Sequence, residues 1–346
     1  MNKYRVLYIG GDGEERDALT RILSSDHDFV SCASIEEAMR ISLRETPDLF
    51  LVSRTADGAS AEENVARLTD HKRLRNVPVI IVKGRGVGHE GIFDDRIVDT
   101  AETPFVDADV RHRVRVHLNI ARRDKAMREQ MEALSNGLLS SISEMVECRD
   151  ENTGGHIART SKYVMLLGMD LVETGAYGGA LSSEDVERMA RAAPLHDIGK
   201  VGVSDLILLK PARLTVDEFD AMKRHTLIGK AMIDRLLVDM PSQTYLTTAN
   251  EIAVTHHEKY DGSGYPYGLS AEDIPIGGRI MAVADVYDAL VADRVYRKAM
   301  TQEEAYRIIT ESEGAHFDPR VVKAFDRVFD MLSALSENAN EKMAAI

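Results

Sequence analysis

Five of the eleven histidines, His156, His196, His225, His256 and His257, fall within about a hundred residues of one another. A lone histidine more often completes a core than binds an ion, so the residues around each one decide its reading. His196 and Asp197 lie in Ala193-Pro194-Leu195-His196-Asp197-Ile198-Gly199-Lys200. This segment reads as an apolar helix that would bury both side chains unless a cation or a partner satisfied them. Neighbouring residues on a helix point ~100° apart, so both can flank one ion only if the helix approaches it closely. Gly199 is small enough to allow that approach. Asp285 stands in a second apolar helix, Ile280 to Leu290, where an unpaired carboxylate is equally costly. Mixed imidazole and carboxylate donors suit Fe, Mn, Zn, Ni or Co rather than Ca or Mg, which prefer all-oxygen shells.

Around these donors stand groups suited to holding an anion. Lys200, one turn beyond His196 and Asp197, faces the same cleft and can hold a phosphate oxygen. Gly264, Tyr265 and Pro266 close the glycine-rich stretch that starts at Asp261, a tight loop whose backbone can lie against a ligand while Tyr265 stacks or donates. Arg294 and Arg297 supply guanidinium groups for a second phosphate or a base, and Asp288 can accept from a guanine edge. Two cations a few ångströms apart can turn a bridging water into hydroxide and neutralise a phosphodiester, with Asp197 and Lys200 as the catalytic pair and no side-chain nucleophile.

The His-Asp pair resembles that of the HD superfamily of metal phosphohydrolases. The string His256-His257-Glu258-Lys259-Tyr260-Asp261-Gly262-Ser263-Gly264-Tyr265-Pro266, with Ile274-Pro275, Arg279 and His316-Phe317-Asp318-Pro319, resembles the HD-GYP family over residues 136 to 330. The resemblance implies hydrolysis of cyclic di-GMP to the linear dinucleotide pGpG and onward to GMP. It implies His196, Asp197, His225, His256, His257 and Asp285 as metal ligands, with Asp197 bridging two ions. His156 is a further candidate, which in three-metal members works with a glutamate four positions earlier. Here that position is Asn152, so two metals are expected, Fe or Mn first, and a third is not. The family also implies contact between the Gly264-Tyr265-Pro266 loop and GGDEF-domain cyclases. Two alternatives stay open: a weakly catalytic cyclic di-GMP receptor, and a phosphodiesterase for another cyclic dinucleotide such as cyclic GMP-AMP.

The elements that must position these groups form an all-α helical bundle from about Ser140 onward. Ahead of it, short apolar runs at Arg5–Ile9, Leu49–Val52 and Val77–Val82 alternate with amphipathic stretches, predicting a parallel sheet covered on both faces. This doubly wound α/β layout resembles the receiver domain of response regulators over residues 3 to 121. It departs at the chemical positions: Gly10-Gly11 replace the acidic pair, Ser53 the phospho-acceptor, Lys83 the hydroxyl residue, and Thr103 the lysine. We read a pseudo-receiver over 1–121, a connecting helix over 107–136 that can pair two subunits, the HD-GYP domain over 137–335 and a tail over 336–346.

Bulk composition narrows the rest. Of the 346 residues, 44% are apolar and 29% charged, with no apolar run near the ~20 residues that span a bilayer. A net charge of −14 disfavours nucleic acid as a partner. Only two cysteines, far apart in sequence, suit a reducing cytoplasm.

Overall fold

The computed structural model describes residues 3–10, 12–54, 56, 60–71, 73–84, 96–150, 155–240, 243–292 and 298–344. The chain divides into two compact units, Met1–Ala133 and Leu134–Ile346.

The first unit is a five-stranded parallel sheet in the order β2-β1-β3-β4-β5, as the apolar runs predict. Its strands are β1 (Arg5–Ile9), β2 (Asp28–Cys32), β3 (Leu49–Ser53), β4 (Val79–Gly84) and β5 (Ile97–Thr103). Successive side chains on a strand point to opposite faces. Leu7, Ile9, Phe50, Val52, Val79 and Ile81 therefore pack beneath α2 (Ile35–Arg44) and α3 (Ala61–Thr69). Val6, Tyr8, Leu49, Leu51, Ile80 and Val82 pack beneath α1 (Gly13–Leu23) and the start of α4 (Asp107–Asp150). The receiver-like fold follows, with its chemical end closed. The Tyr8 hydroxyl donates to Glu15 Oε2 at 2.7 Å and the Ser53 hydroxyl to the same oxygen at 3.2 Å. Lys83, 2% exposed, pairs with Glu102 at 3.3 Å. A Cβ at Gly10 would overlap Ala56, so the position of the first acidic residue has no room for one. Gly11 lies outside the described residues.

Helix α4 runs 44 residues and does not stop near 136 as expected. No proline interrupts it, and the single Gly137 costs only ~1 kcal/mol, too little to end a helix carried by packing on either side.

The second unit is all helical: α5 (His156–Glu173), α6 (Ser183–Ala192), α7 (Asp205–Leu208), α8 (Val216–Lys223), α9 (His225–Asp239), α10 (Tyr245–Thr255), α11 (Ile276–Val291), α12 (Gln302–Glu311) and α13 (Pro319–Ala344). Its core joins Tyr163 and Leu167 of α5, Leu246 and Ile252 of α10, Ile280 and Tyr287 of α11, and Phe325 of α13. Helix α13 continues through the segment expected to be a tail. Ser336 is buried there and accepts from Gln302 Nε2 at 2.6 Å, which ties the helix to α12. The motif around Asp318 is a latch at the start of α13. Its carboxylate accepts from Tyr177 Oη at 2.8 Å, Arg279 Nη1 at 2.6 Å and the Arg320 amide at 2.8 Å. No helix among the described residues is long and apolar enough to cross a membrane.

Candidate metal centre

The segment carrying His196 and Asp197 is not the continuous helix expected. Two 3-10 turns, Ala193–Leu195 and Ile198–Gly202, flank the pair, because Pro194 cannot extend an α-helix from α6. The break seats Gly199 directly on α9, where a Cβ would overlap the His225 carbonyl and the Gly229 amide. The close approach anticipated from Gly199 is thus made to a neighbouring helix, and it brings Asp197 beside His225.

Two clusters result. Asp197, His225, His256 and His257 offer donor atoms within 4.8 Å of one another, and so do His156, His196 and Asp285. All six ligands implied by the sequence, together with His156, are brought into these groups.

The proton arrangement tests whether a cation fits. Nδ1 of His196, His225 and His256 lies 2.8, 2.8 and 3.0 Å from the carbonyls of Ala193, Met222 and Ile252. A carbonyl can only accept, so each ring in its neutral form carries its proton on Nδ1 and presents its lone pair at Nε2. Asp197 Oδ1, also an acceptor, faces two of those lone pairs, at 3.2 Å from His225 Nε2 and 3.5 Å from His256 Nε2. These four buried atoms, counting His196 Nε2, have no hydrogen-bond partner. Acceptors buried face to face are costly unless a cation sits between them, so the donor set fits a metal.

Electrostatics support the same assignment. Burial alone would raise the Asp197 carboxyl, but Lys200 at 2.8 Å and His196 hold it well below the usual range. Burial and the neighbouring His256 push His257 well below the ordinary imidazole value, leaving it neutral as a ligand must be. Burial also pulls His196 down, yet Asp197 and Asp285 lift it to about 9, so proton and cation compete for its Nε2.

His156 is oriented by a carboxylate. Its Nδ1 donates to Asp288 Oδ2 at 2.7 Å, which turns Nε2 toward Asp285 Oδ1 at 3.6 Å. Asp288 was expected to read a guanine edge. It is instead 1% exposed, with both oxygens held by Arg159 Nε at 2.6 Å and Nη2 at 2.8 Å as well as by His156. A carboxylate so enclosed positions the histidine and offers nothing to a ligand. The sequence signal available for this was Arg159, one turn after His156 and buried.

Tyr265 covers the first cluster, its ring 4.8 Å from that of His257, and Phe219 meets its outer edge at 6.1 Å. Glu258 fixes the loop from beneath, accepting from the Tyr267 amide at 2.7 Å and the Leu269 amide at 3.1 Å. The sequence reading assigned no role to Phe219 or Glu258. Gly264 and Pro266 frame Tyr265 in this loop, half-buried with it. Asn152, Arg294 and Arg297 lie outside the described residues.

Comparison with known proteins follows this geometry. Residues 140–321 match the family described as HD domain. A probable cyclic di-GMP phosphodiesterase of Vibrio cholerae is 36% identical over 342 residues, covering 94% of this chain and 78% of the relative. The cyclic di-GMP phosphodiesterase response regulator RpfG of Xanthomonas campestris is 33% identical over 298 residues, 81% of this chain and 75% of that protein. The 3'3'-cGAMP-specific phosphodiesterase 2 of Vibrio cholerae is 37% identical over 201 residues, 58% of this chain and 36% of that protein. With its two His/Asp clusters and a receiver-like unit ahead of them, the chain belongs to the HD-domain phosphodiesterase family.

Proposed function

We propose that this protein linearises cyclic di-GMP to pGpG, and onward to GMP, in bacterial second-messenger signalling. The observation that carries the proposal is the set of four buried, unpartnered donor atoms beside Lys200. Two transition-metal cations, Fe or Mn, would be held by Asp197, His225, His256 and His257 on one side and by His156, His196 and Asp285 on the other. When bound they supply Lewis-acid charge and make water a competent nucleophile at neutral pH. Asp197, the only carboxylate of the first cluster, keeps its negative charge at neutral pH and draws Lys200 to the edge of the site. Lys200 is placed to take a phosphate oxygen, and Tyr265 excludes water from the first cluster while offering its ring to a base. Arg294 and Arg297 complete the reading as contacts to the second phosphate. The relatives named for cyclic di-GMP, matched over most of this chain, favour that substrate.

A second reading, hydrolysis of cyclic GMP-AMP, is favoured by the relative specific for 3'3'-cGAMP. The pseudo-receiver, unable to take a phosphoryl group, serves as a docking domain. The loop around Tyr265 is the surface offered to GGDEF-domain cyclases, and the two free cysteines suit a cytoplasmic setting.

The test is to purify the full chain with Mn²⁺ or, anaerobically, with Fe²⁺, and to follow both cyclic dinucleotides by chromatography. We expect cyclic di-GMP to be consumed at least tenfold faster than cyclic GMP-AMP, and an Asp197→Ala control to fall by ~10³-fold or more. Binding without turnover in either metal would overturn the enzymatic reading, and a reversed preference would select the second substrate.

A further inference from the structure

The receiver-like unit has a cavity of about 470 Å³ at the end of its sheet opposite Ser53 and Lys83. All five strands run parallel, so Tyr4, Pro47-Asp48 and Val77-Pro78, which immediately precede β1, β3 and β4, meet along one edge. Helix α4 crosses that edge and closes the cavity with Leu118 and Ala121. The floor is apolar: Pro47 is buried, and Val77 and Leu118 are 8% and 3% exposed. Around it stand four cations, Arg73 on the segment before β4, and Arg122, Lys125 and Arg128 on α4. The α4 cations are three residues apart, a rise of about 4.5 Å at each step. Asp48 is the single carboxylate lining the cavity, and its Oδ2 is engaged by the Arg5 amide at 2.8 Å. Carboxylates outnumber basic residues 57 to 43 in this chain, so composition alone would not place four cations against one acid. They are held loosely: Arg122 Nη1 donates to Tyr4 Oη at 3.3 Å, and Lys125 lies 4.0 Å from Glu129.

We propose that this cavity binds a nucleoside polyphosphate. Its volume falls in the range of small-molecule sites, roughly 300–1,000 Å³. The excess of positive charge calls for a ligand with about three negative charges, more than a monophosphate carries. Guanidinium groups from two segments can fork onto phosphate oxygens, while Lys125 adds a point charge. Phosphates alone would leave the apolar floor and the half-buried Tyr4 ring uncovered; a flat base covers both. The end of the sheet that would take a phosphoryl group covalently is closed, and the opposite end is open to phosphates held by charge. A ligand bridging Arg73 to Arg122 and Arg128 would also tie α4 to the sheet.

Isothermal titration of the metal-loaded full chain with GTP, ATP and tripolyphosphate, in about 150 mM salt, is the test. We expect either nucleotide to bind, and tripolyphosphate, which leaves the floor empty, to bind at least ~10-fold more weakly. Arg122→Glu with Arg128→Glu should weaken nucleotide binding by ~10-fold or more, and so should Arg73→Glu on its separate segment. All three side chains are exposed, so Tm by circular dichroism should be unchanged in both variants. Agreement between the two variants would place the nucleotide in this cavity and not at the metal centre. Absence of binding by both nucleotides, binding indifferent to either variant, or tripolyphosphate binding as tightly as the nucleotides would each overturn the proposal.

Discussion

The two units treat buried polar groups in opposite ways. At the chemical end of the receiver-like unit every position that would have carried phosphoryl chemistry is replaced, and the remaining polar atoms satisfy one another: Tyr8 and Ser53 on Glu15, and Lys83 on Glu102. In the helical unit, the Nε2 atoms of His225 and His256 face a carboxylate oxygen of Asp197, and none of the three has a hydrogen-bond partner. A polar site with no ion to hold closes by pairing its own side chains; one able to hold an ion is arranged so that it cannot.

That contrast can be broken experimentally, most forcefully at Gly199. Alanine there forces the 3-10 turn off α9, costing more than ~3 kcal/mol, and should reduce metal content and turnover together. Full metal occupancy in Gly199→Ala would show that the lone pairs do not depend on this contact. Asp288→Asn is subtler, since the amide keeps the shape but loses the charge on His156. Metal affinity, read by titration against a chelator, should fall 10- to 100-fold. An unchanged affinity would remove His156 from the second cluster.

Asp318 tests whether a satisfied carboxylate in the helical unit behaves as those in the receiver-like unit do. Burial raises its pKa, but the Arg320 amide, Tyr177 and Arg279 bring it below the usual value. The folded state therefore favours the ionised form. Its contribution is complete above the unfolded carboxyl value of about 3.9 and is lost as pH falls through the lower folded value. Asp318→Asn should lower stability by about 1–3 kcal/mol at pH 7 and flatten the decline of Tm below about pH 4, as followed by circular dichroism. Equal acid sensitivity in both proteins would count against the latch. The smallest effect belongs to the closed site. Ser53→Asp restores an acceptor but leaves Gly10 without room for an acid, so acetyl phosphate with Mg²⁺ should label neither the variant nor the wild type. A phosphate-dependent gel shift in either would reopen the receiver.

What the sequence revealed follows the same division. Strands β1, β3 and β4 were legible because both faces are buried, which leaves continuous apolar runs. Of the candidate ligands, His196, Asp197 and Asp285 were legible because a histidine or aspartate in apolar surroundings is costly enough to demand a reason, and His225, His256 and His257 through the resemblance of their motif to a known family. The role of Asp288 was hidden because its partners, His156 and Arg159, are far away in the chain, and an aspartate on an apolar helix looks alike whether it meets a ligand or an arginine. The break at Pro194 was missed because an apolar segment of that length fits a helix or two tight turns equally well. The continuation of α4 past residue 136 was missed because that bound marked where one domain was expected to give way to the next, and one unbroken helix serves both.

His196 belongs to one cluster and Asp197 to the other, although they are joined by a single peptide bond. Consecutive Cα atoms are held 3.8 Å apart by covalent geometry alone. The spacing between the two halves of the centre is therefore calibrated by a rigid bond, whereas the remaining ligands come from helices that can drift. Thermal loosening of the bundle would empty one half or the other before it changed the gauge between them, so this centre should fail by losing ions, not by holding them at the wrong distance.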